Sequence, residues 1–270
     1  MKKELNGREL ALYIQERQAK AVRNLKQQYK IFPRLAIIRT NPDPVVDSYM
    51  RIKQSYGDDI GIAVDVHTID QSQALQKINE LNNDDSVHGI IVQIPLPDKS
   101  QTTEILNSVN PQKDVDGLSE KTNYDAPTPV AINWLLVGYS VQLEGMNLVI
   151  VGHGQLVGRP LAKMWNASGY EVQVIDKSTP DLKNITENAD VLVSATGVPS
   201  LITSDMLKPD TVVVDAGVAT DSNGLIGDVA ADVREREDIV ITPIKGGVGP
   251  LTVAALFENV ISSARKLAKN

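Results

Sequence analysis

Asn147-Leu148-Val149-Ile150-Val151-Gly152-His153-Gly154-Gln155-Leu156-Val157-Gly158 is the stretch that decides the fold. Leu148–Val151 is an unbroken apolar run, the signature of a strand buried on both faces in a parallel sheet. Three glycines spaced G-x-G-x-x-x-G then lead into Leu156–Ala167, which reads as a helix. Strand, glycine turn and helix form the context of a dinucleotide site. Glycines let the backbone approach a pyrophosphate, and the helix N-terminus offers unpaired N–H groups. The same spacing also suits a tight turn in any α/β protein. Asp176 ends the next strand, 22 residues after Gly154. Dinucleotide folds place there the acid that accepts hydrogen bonds from the adenosine ribose. Its charge repels a 2′-phosphate and so favours NAD over NADP, while the adjacent Lys177 and Ser178 could hold a phosphate.

Outward from this stretch, strands are expected at Glu171–Ile175, Val191–Ala195, Val212–Asp215 and Ile239–Ile241. Upstream, strands at Leu35–Ile38, Ile62–Ile69 and Gly89–Ile94 alternate with helical patterns over residues 8–30, Pro44–Tyr56 and Ala74–Leu81. Gly57 is expected to end the second of these helices. Residues 110–128 read as a loop, Val130–Val137 as a helix, and Thr252–Leu267 as a last helix after Gly246-Gly247-Val248-Gly249-Pro250. The alternation predicts an α/β protein of two three-layer domains with mostly parallel sheets, the second Rossmann-like.

The 270 residues carry 27 Lys+Arg and 34 Asp+Glu, a net charge of −7. With 42% apolar and 23% charged residues the composition is that of a globular protein. No apolar run approaches the roughly 18 residues of a membrane span, and residues 1–10 lack an apolar signal core. The absence of cysteine excludes disulfides and thiolate catalysis, and fits a reducing cytoplasm. His67, His88 and His153 are scattered, so no metal site is expected. The acidic balance argues against nucleic acid as a partner. Residues 1–60 nonetheless hold 12 basic against 7 acidic residues, which suits an acidic ligand near the N-terminal part.

Tyr49 and Lys53 are four apart on an expected helix and share a face. Alone they read as an ordinary surface pair, although burial would bring the lysine toward proton-transfer chemistry. Gln93 ends an apolar strand, the position from which parallel sheets contact ligands. Asp114-Val115-Asp116-Gly117 lies in the inter-domain loop, where acids are commonly turn formers. Three glycines within Gly246–Gly249 permit close backbone approach to a ligand.

Taken in order, several segments resemble one family. They are Tyr49-x-x-x-Lys53, Gly89-Ile90-Ile91-Val92-Gln93-Ile94-Pro95-Leu96-Pro97, Lys113–Gly117, Thr128-Pro129, Val157-Gly158-Arg159-Pro160, Gly227-Asp228-Val229, and Gly246–Pro250 with Thr252-Val253-Ala254. The chain is similar, over nearly its whole length, to the methylenetetrahydrofolate dehydrogenase/cyclohydrolases. The resemblance implies oxidation of 5,10-methylenetetrahydrofolate with NAD(P)+ and hydrolysis of the methenyl product to 10-formyltetrahydrofolate, without a metal. It makes Lys53 central to hydrolysis, with Tyr49 orienting the folate, Gln93 holding Lys53 and Asp116 accepting from the pterin. Ile94, Pro95 and Leu96 would join the substrate site. Gly249, Pro250 and Thr252 would line the meeting point of nicotinamide and folate. Gly152, His153, Gly154, Gly158, Asp176, Thr196, Gly197 and Val218 would hold the cofactor.

The resemblance further implies a folate-binding catalytic domain of residues 1–126 plus 251–270, a cofactor domain of residues 127–250, and a homodimer. NADP is the family's usual cofactor. His153-Gly154 in place of the usual Arg-Ser pair, together with Asp176, tilts this chain toward NAD. Val46, Lys245 and a short 117–128 loop also depart from the family pattern. A shikimate-type dehydrogenase and a binding paralogue without catalysis are the alternatives.

Overall fold

The computed structural model describes residues 3–41, 44–217, 219–221 and 224–267. Its elements begin with β1 (Lys3–Glu4), α1 (Gly7–Gln28), β2 (Arg34–Arg39), α2 (Pro44–Ile60), β3 (Ala63–Thr68), α3 (Ala74–Asn82), β4 (Gly89–Gln93) and α4 (Thr102–Asn107). They continue with α5 (Pro127–Gly138), β5 (Leu148–Val151), α6 (Gly158–Ala167), β6 (Val172–Ile175), α7 (Leu182–Thr186) and β7 (Val191–Ser194). The rest are β8 (Val212–Asp215), β9 (Ala219–Asp221), β10 (Gly224–Ile226), α8 (Ala231–Arg234), β11 (Val240–Ile241) and α9 (Val248–Leu267). The chain divides into two compact units. The first joins Leu12–Pro127 with Val253–Asn270, and the second joins Met1–Ala11 with Thr128–Thr252.

The first unit is built on a parallel sheet in the order β3-β2-β4. Alternation along β2 gives each face its own core. Leu35 and Ile37 pack with Val22 and Leu25 of α1, Met50 and Ile60 of α2, and Phe257 and Val260 of α9. Ala36 and Ile38 pack with Ala74 and Ile78 of α3 and Ile105 and Leu106 of α4. Because both faces are covered, β2 reads as a continuous apolar run.

The second unit carries a parallel sheet in the order β1-β11-β8-β7-β5-β6, with β9 and β10 as a separate antiparallel pair. From β5 the chain builds outward to β6 on one side and then to β7 on the other. The carboxyl ends of β5 and β7 therefore flank a topological switch point, where open α/β sheets bind ligands.

The fold is the predicted α/β class; besides shifted element ends and the further short elements α7, α8, β9 and β10, four local differences stand out. Residues 3 and 4, expected with the first domain, pair in parallel with Val240 and Ile241 in the second unit. Helix α2 runs through Gly57 to Ile60, because buried Ile60 extends its apolar stripe and outweighs the ~1 kcal/mol helix cost of glycine. Helix α4 was not anticipated. It is six residues long, with Ile105 and Leu106 as its buried pair, too short to show a period. Helix α9 starts at Val248 rather than Thr252. Pro250 is accommodated in its first turn, where a missing N–H breaks no helical hydrogen bond. Among the described residues, no helix is long and apolar enough to cross a membrane.

Candidate active site

In the first unit, β2 is followed by β3 on one side and β4 on the other, so the ends of β2 and β4 flank a second switch point. Gln93 is the last residue of β4. Lys53 Nζ donates to Gln93 Oε1 at 3.1 Å, and Gln93 Nε2 donates to the Ile94 carbonyl at 3.2 Å. The amide is thus oriented, with its oxygen toward the amine. Tyr49 lies one turn before Lys53 on α2. Burial of Val46, Met50 and Ile60 sets the rotation of that helix, and Tyr49 keeps 40% of its surface exposed.

Asp116 is placed by a loop laid along β4. Ile90 N donates to the Lys113 carbonyl at 2.7 Å. The buried Asp114 carboxylate then accepts from Ser119 N at 2.9 Å and Ser119 Oγ at 2.7 Å. Asn259 of α9 donates to the carbonyls of Val115 at 2.9 Å and Asp125 at 3.0 Å. One side chain thereby pins the loop immediately before Asp116 and again nine residues later.

Lys53 and Asp116 act on each other electrostatically. Burial pulls the Lys53 amine below the usual lysine range, against the opposing charge of Asp116. Burial pushes the Asp116 carboxyl up, against Lys53 and with the help of Asp114. Desolvation dominates both groups and drives each toward its neutral form, the state from which protons are readily exchanged. Burial also raises the Tyr49 phenol, which keeps its proton and remains a donor.

The remaining expected substrate residues do not form one set. Ile94 is half-buried and Pro95 exposed after β4. Leu96 is buried in the core beside Ile38 and Ile105, so its side chain is committed to packing. Gly249 and Pro250 stand in the first turn of α9. Thr252 Oγ1 bonds the Val248 carbonyl at 3.3 Å and lies 3.5 Å from Thr128 Oγ1.

The glycine turn of the second unit has the shape of a dinucleotide cradle. Gly152 takes φ +105° directly after β5, conformational space that suits glycine. A Cβ on Gly158 would lie 1.7 Å from the Gly152 carbonyl oxygen, so only glycine lets α6 start this close to the strand. A Cβ on Gly154 would meet nothing within 4 Å, leaving the turn open to a ligand. His153 and Gly154 are exposed, and α6 presents its N-terminus behind them. NAD(P) fits this cradle, since close backbone approach and unpaired N–H groups are what a pyrophosphate requires.

Thr196 and Gly197 follow β7 on the opposite side of the switch point. Asp176 is exposed after β6. Its Oδ1 accepts from Ser178 N at 2.8 Å and Ser178 Oγ at 2.6 Å. These bonds, with nearby His153, hold its carboxyl below the usual range, so it is ionised at neutral pH. Val218 lies outside the described residues.

Sequence reasoning missed the residues that hold this machinery in place. Asn259 gives no sequence signal, since a mid-helix Asn reads as a surface residue. Tyr56, one turn after Lys53, donates to Gln18 Oε1 at 2.8 Å and stacks on Phe257 with centroids 5.0 Å apart. Gln18 in turn donates to the Ala254 carbonyl at 2.8 Å and to Glu258 at 3.0 Å. This network ties α2 to α1 and α9.

Two family descriptions match the chain. The tetrahydrofolate dehydrogenase/cyclohydrolase catalytic domain matches residues 5–116, and the NAD(P)-binding domain of the same family matches residues 126–268. The Bifunctional protein FolD of Limosilactobacillus reuteri (strain DSM 20016) is 37% identical over 276 residues, covering 96% of each chain. The crystal structure of the FolD methylenetetrahydrofolate dehydrogenase/cyclohydrolase from Campylobacter jejuni is 35% identical. It superposes with a TM-score of 0.93, covering 99% of this chain and 100% of that one. The Trypanosoma brucei dehydrogenase-cyclohydrolase complexed with NADP and an inhibitor is 28% identical, with a TM-score of 0.91 and 98% coverage of both chains.

Proposed function

This chain belongs to the tetrahydrofolate dehydrogenase/cyclohydrolase family, and on that premise we propose how its residues share two reactions. It is a bifunctional enzyme that oxidises 5,10-methylenetetrahydrofolate to the 5,10-methenyl form with NAD(P)+ and hydrolyses that product to 10-formyltetrahydrofolate. The match over nearly the full length favours neither a shikimate-type dehydrogenase nor a non-catalytic paralogue.

Lys53 carries the cyclohydrolase step. Its amine, which burial drives toward the neutral form, accepts a proton as water adds to the methenyl carbon. It then returns a proton to N5 as the C–N5 bond breaks, leaving the formyl group on N10 and releasing one proton overall. The single observation that carries this assignment is the Lys53–Gln93 hydrogen bond beside a carboxyl that shares its desolvated surroundings. Gln93 fixes the amine, Asp116 accepts hydrogen bonds from the pterin, and Tyr49 orients the folate with its retained proton. The first unit is then the folate-binding catalytic domain.

The second unit is the cofactor domain. Bound NAD(P)+ supplies a hydride acceptor. Gly152, His153, Gly154 and Gly158 hold its pyrophosphate, and Thr196 and Gly197 border it across the switch point, with Val218 assigned to the same cleft by resemblance. Gly249, Pro250 and Thr252 serve its nicotinamide end. We favour NAD over NADP, because ionised Asp176 keeps Oδ2 for the ribose hydroxyl and repels a 2′-phosphate. The Trypanosoma relative complexed with NADP supports the opposite preference. A cytoplasmic homodimer is the working form suggested by the family.

The test is direct. Purified protein is mixed with methylenetetrahydrofolate and either NAD+ or NADP+, and reduced nicotinamide and the methenyl chromophore are followed separately. Turnover with both products is expected, with the higher kcat/KM for NAD+. No turnover with either cofactor would overturn the reading, and a preference for NADP+ would overturn the role of Asp176. Light scattering on the eluting protein reports its mass and tests the dimer.

A further inference from the structure

The second unit contains a buried carboxylate that the reactions above leave without a task. Asp228 is fully buried. Its Oδ2 accepts three hydrogen bonds, from Thr196 N at 2.6 Å, Ser194 Oγ at 2.8 Å and Thr196 Oγ1 at 2.9 Å. Its Oδ1 is buried and has no hydrogen-bond partner among the described residues. Taking a carboxylate fully out of water is unfavourable unless its bonds repay it. Among the described residues, the bonds to its side chain reach Ser194 at the end of β7 and Thr196 in the loop after it.

That loop packs against the dinucleotide turn. A Cβ on Gly152 would lie 2.6 Å from the Ala195 carbonyl oxygen and 3.1 Å from Thr196 Cγ2. Thr196 Oγ1 also accepts from Val198 N at 3.1 Å, so it sets the loop's next turn. An unbroken series of contacts thus runs from Asp228 through Thr196 to Gly152. Asp228 is itself held from behind. Asp215, at the end of β8, accepts from Asp228 N at 3.0 Å and Val229 N at 3.2 Å and pairs with Arg234. Arg234 also donates to the Thr242 carbonyl at 2.9 Å, and Asp215 N donates to Thr242 Oγ1 at 2.9 Å. Two carboxylates and one guanidinium thereby join the ends of β7 and β8 to the residue after β11.

We propose that Asp228 is a positioning residue for the dehydrogenase reaction: through Thr196 it holds the loop after β7 against the glycine turn, so that the cofactor cradle is formed before NAD(P)+ arrives. The proposal rests on the second unit being the cofactor domain. Asp228 touches no substrate in this scheme, and its effect passes entirely through Thr196. A cradle set in advance spares the cofactor the work of ordering the loop, so losing Asp228 appears as weaker cofactor use.

The discriminating measurement is the split between the two activities in the full chain. Cyclohydrolase is assayed on methenyltetrahydrofolate supplied directly, and dehydrogenase with varied NAD+ and NADP+. In Asp228→Asn, a neutral amide oxygen replaces a charged acceptor, whose hydrogen bonds are roughly twice as strong. The KM for the cofactor should rise about threefold to tenfold while cyclohydrolase kcat/KM stays within about twofold. In Asp228→Ala the cofactor KM should rise further, and the Thr196 amide should lose protection from hydrogen exchange. An unchanged cofactor KM in Asp228→Asn overturns the proposal, even if Asp228→Ala does not fold. An equal fall in both activities also overturns it, because that is the mark of general damage. A wild-type chain without dehydrogenase turnover would instead defeat the underlying reading.

Discussion

The two units build their sites from different materials. In the first unit the proposed working groups are side chains: Lys53, Gln93, Asp116 and Tyr49 project from α2, β4 and a pinned loop, and burial moves the pKa of three of them. In the second unit the surface proposed for the cofactor is largely backbone. Gly152, Gly154 and Gly158 matter for the atoms they lack, and the carboxylates behind them serve to hold loops. Removing a side chain from the first unit should therefore leave the architecture standing. Adding one to the second should not.

Lys53→Ala tests the first half of that contrast and has the largest expected effect. General acid–base groups contribute about 10²–10⁴-fold to rate, and cyclohydrolase kcat should fall by that much. Melting temperature and NAD(P)+ binding should hold. Full hydrolytic activity in the variant would remove Lys53 from the mechanism. Gly158→Ala tests the other half. The new Cβ would sit 1.7 Å from the Gly152 carbonyl oxygen, and both atoms belong to backbone that cannot rotate away. Forced overpacking of this kind costs about 1–3 kcal/mol, and dehydrogenase should drop with stability. Calorimetry alongside the two assays decides the point. A stable Gly158→Ala enzyme with an unchanged cofactor KM would break the comparison.

The same contrast explains what was legible in the sequence. Backbone-built features announce themselves, because glycine spacing after an apolar strand has few other uses. Hence β5, the turn and the parallel sheet of the second unit were readable from Leu148–Gly158. Single polar side chains do not. Tyr49 and Lys53 alone resembled a surface pair, and only the ordered set of motifs singled them out. Helix α4 is not legible, because six residues show no period. The start of α9 is hidden, because glycines and a proline mask a first turn that tolerates both. Asn259 and Gln18 give no signal for another reason. Their partners lie 38 to 240 residues away, and a hydrogen bond of that span leaves no local pattern.

Asp116→Asn sharpens the electrostatic side of the comparison. Asp116 holds the Lys53 pKa up while burial pulls it down. Removing the negative charge lets burial act unopposed, so the Lys53 pKa falls further. The limb of the cyclohydrolase pH–rate profile that reports Lys53 should move to lower pH. Exchanging the carboxyl for an amide weakens its hydrogen bonds to the pterin by about 0.5–1.5 kcal/mol, so the folate KM should rise about twofold to tenfold. The cofactor KM should stay in place. A limb that moves to higher pH would show that the two groups are not coupled as the geometry requires.

The smallest expected effect is also the most specific. Asn259 lies on α9, and its amide donates to the Val115 and Asp125 carbonyls on either side of Asp116. Neither bond touches a reacting atom. Asn259→Ala removes both, at about 1 kcal/mol each, and frees the loop that aims the carboxylate. If the first unit depends on held side chains, a loosened loop weakens pterin capture before it affects proton transfer. The folate KM should then rise a few-fold, with kcat reduced less and the cofactor KM unmoved. Asn259→Asp restores an acceptor but not the donor, so it should behave like the alanine variant, whereas a purely steric role would be rescued by it. Steady-state kinetics with each substrate varied in turn gives the answer. A cofactor KM that rises as much as the folate KM would mean that Asn259 supports the whole chain rather than Asp116.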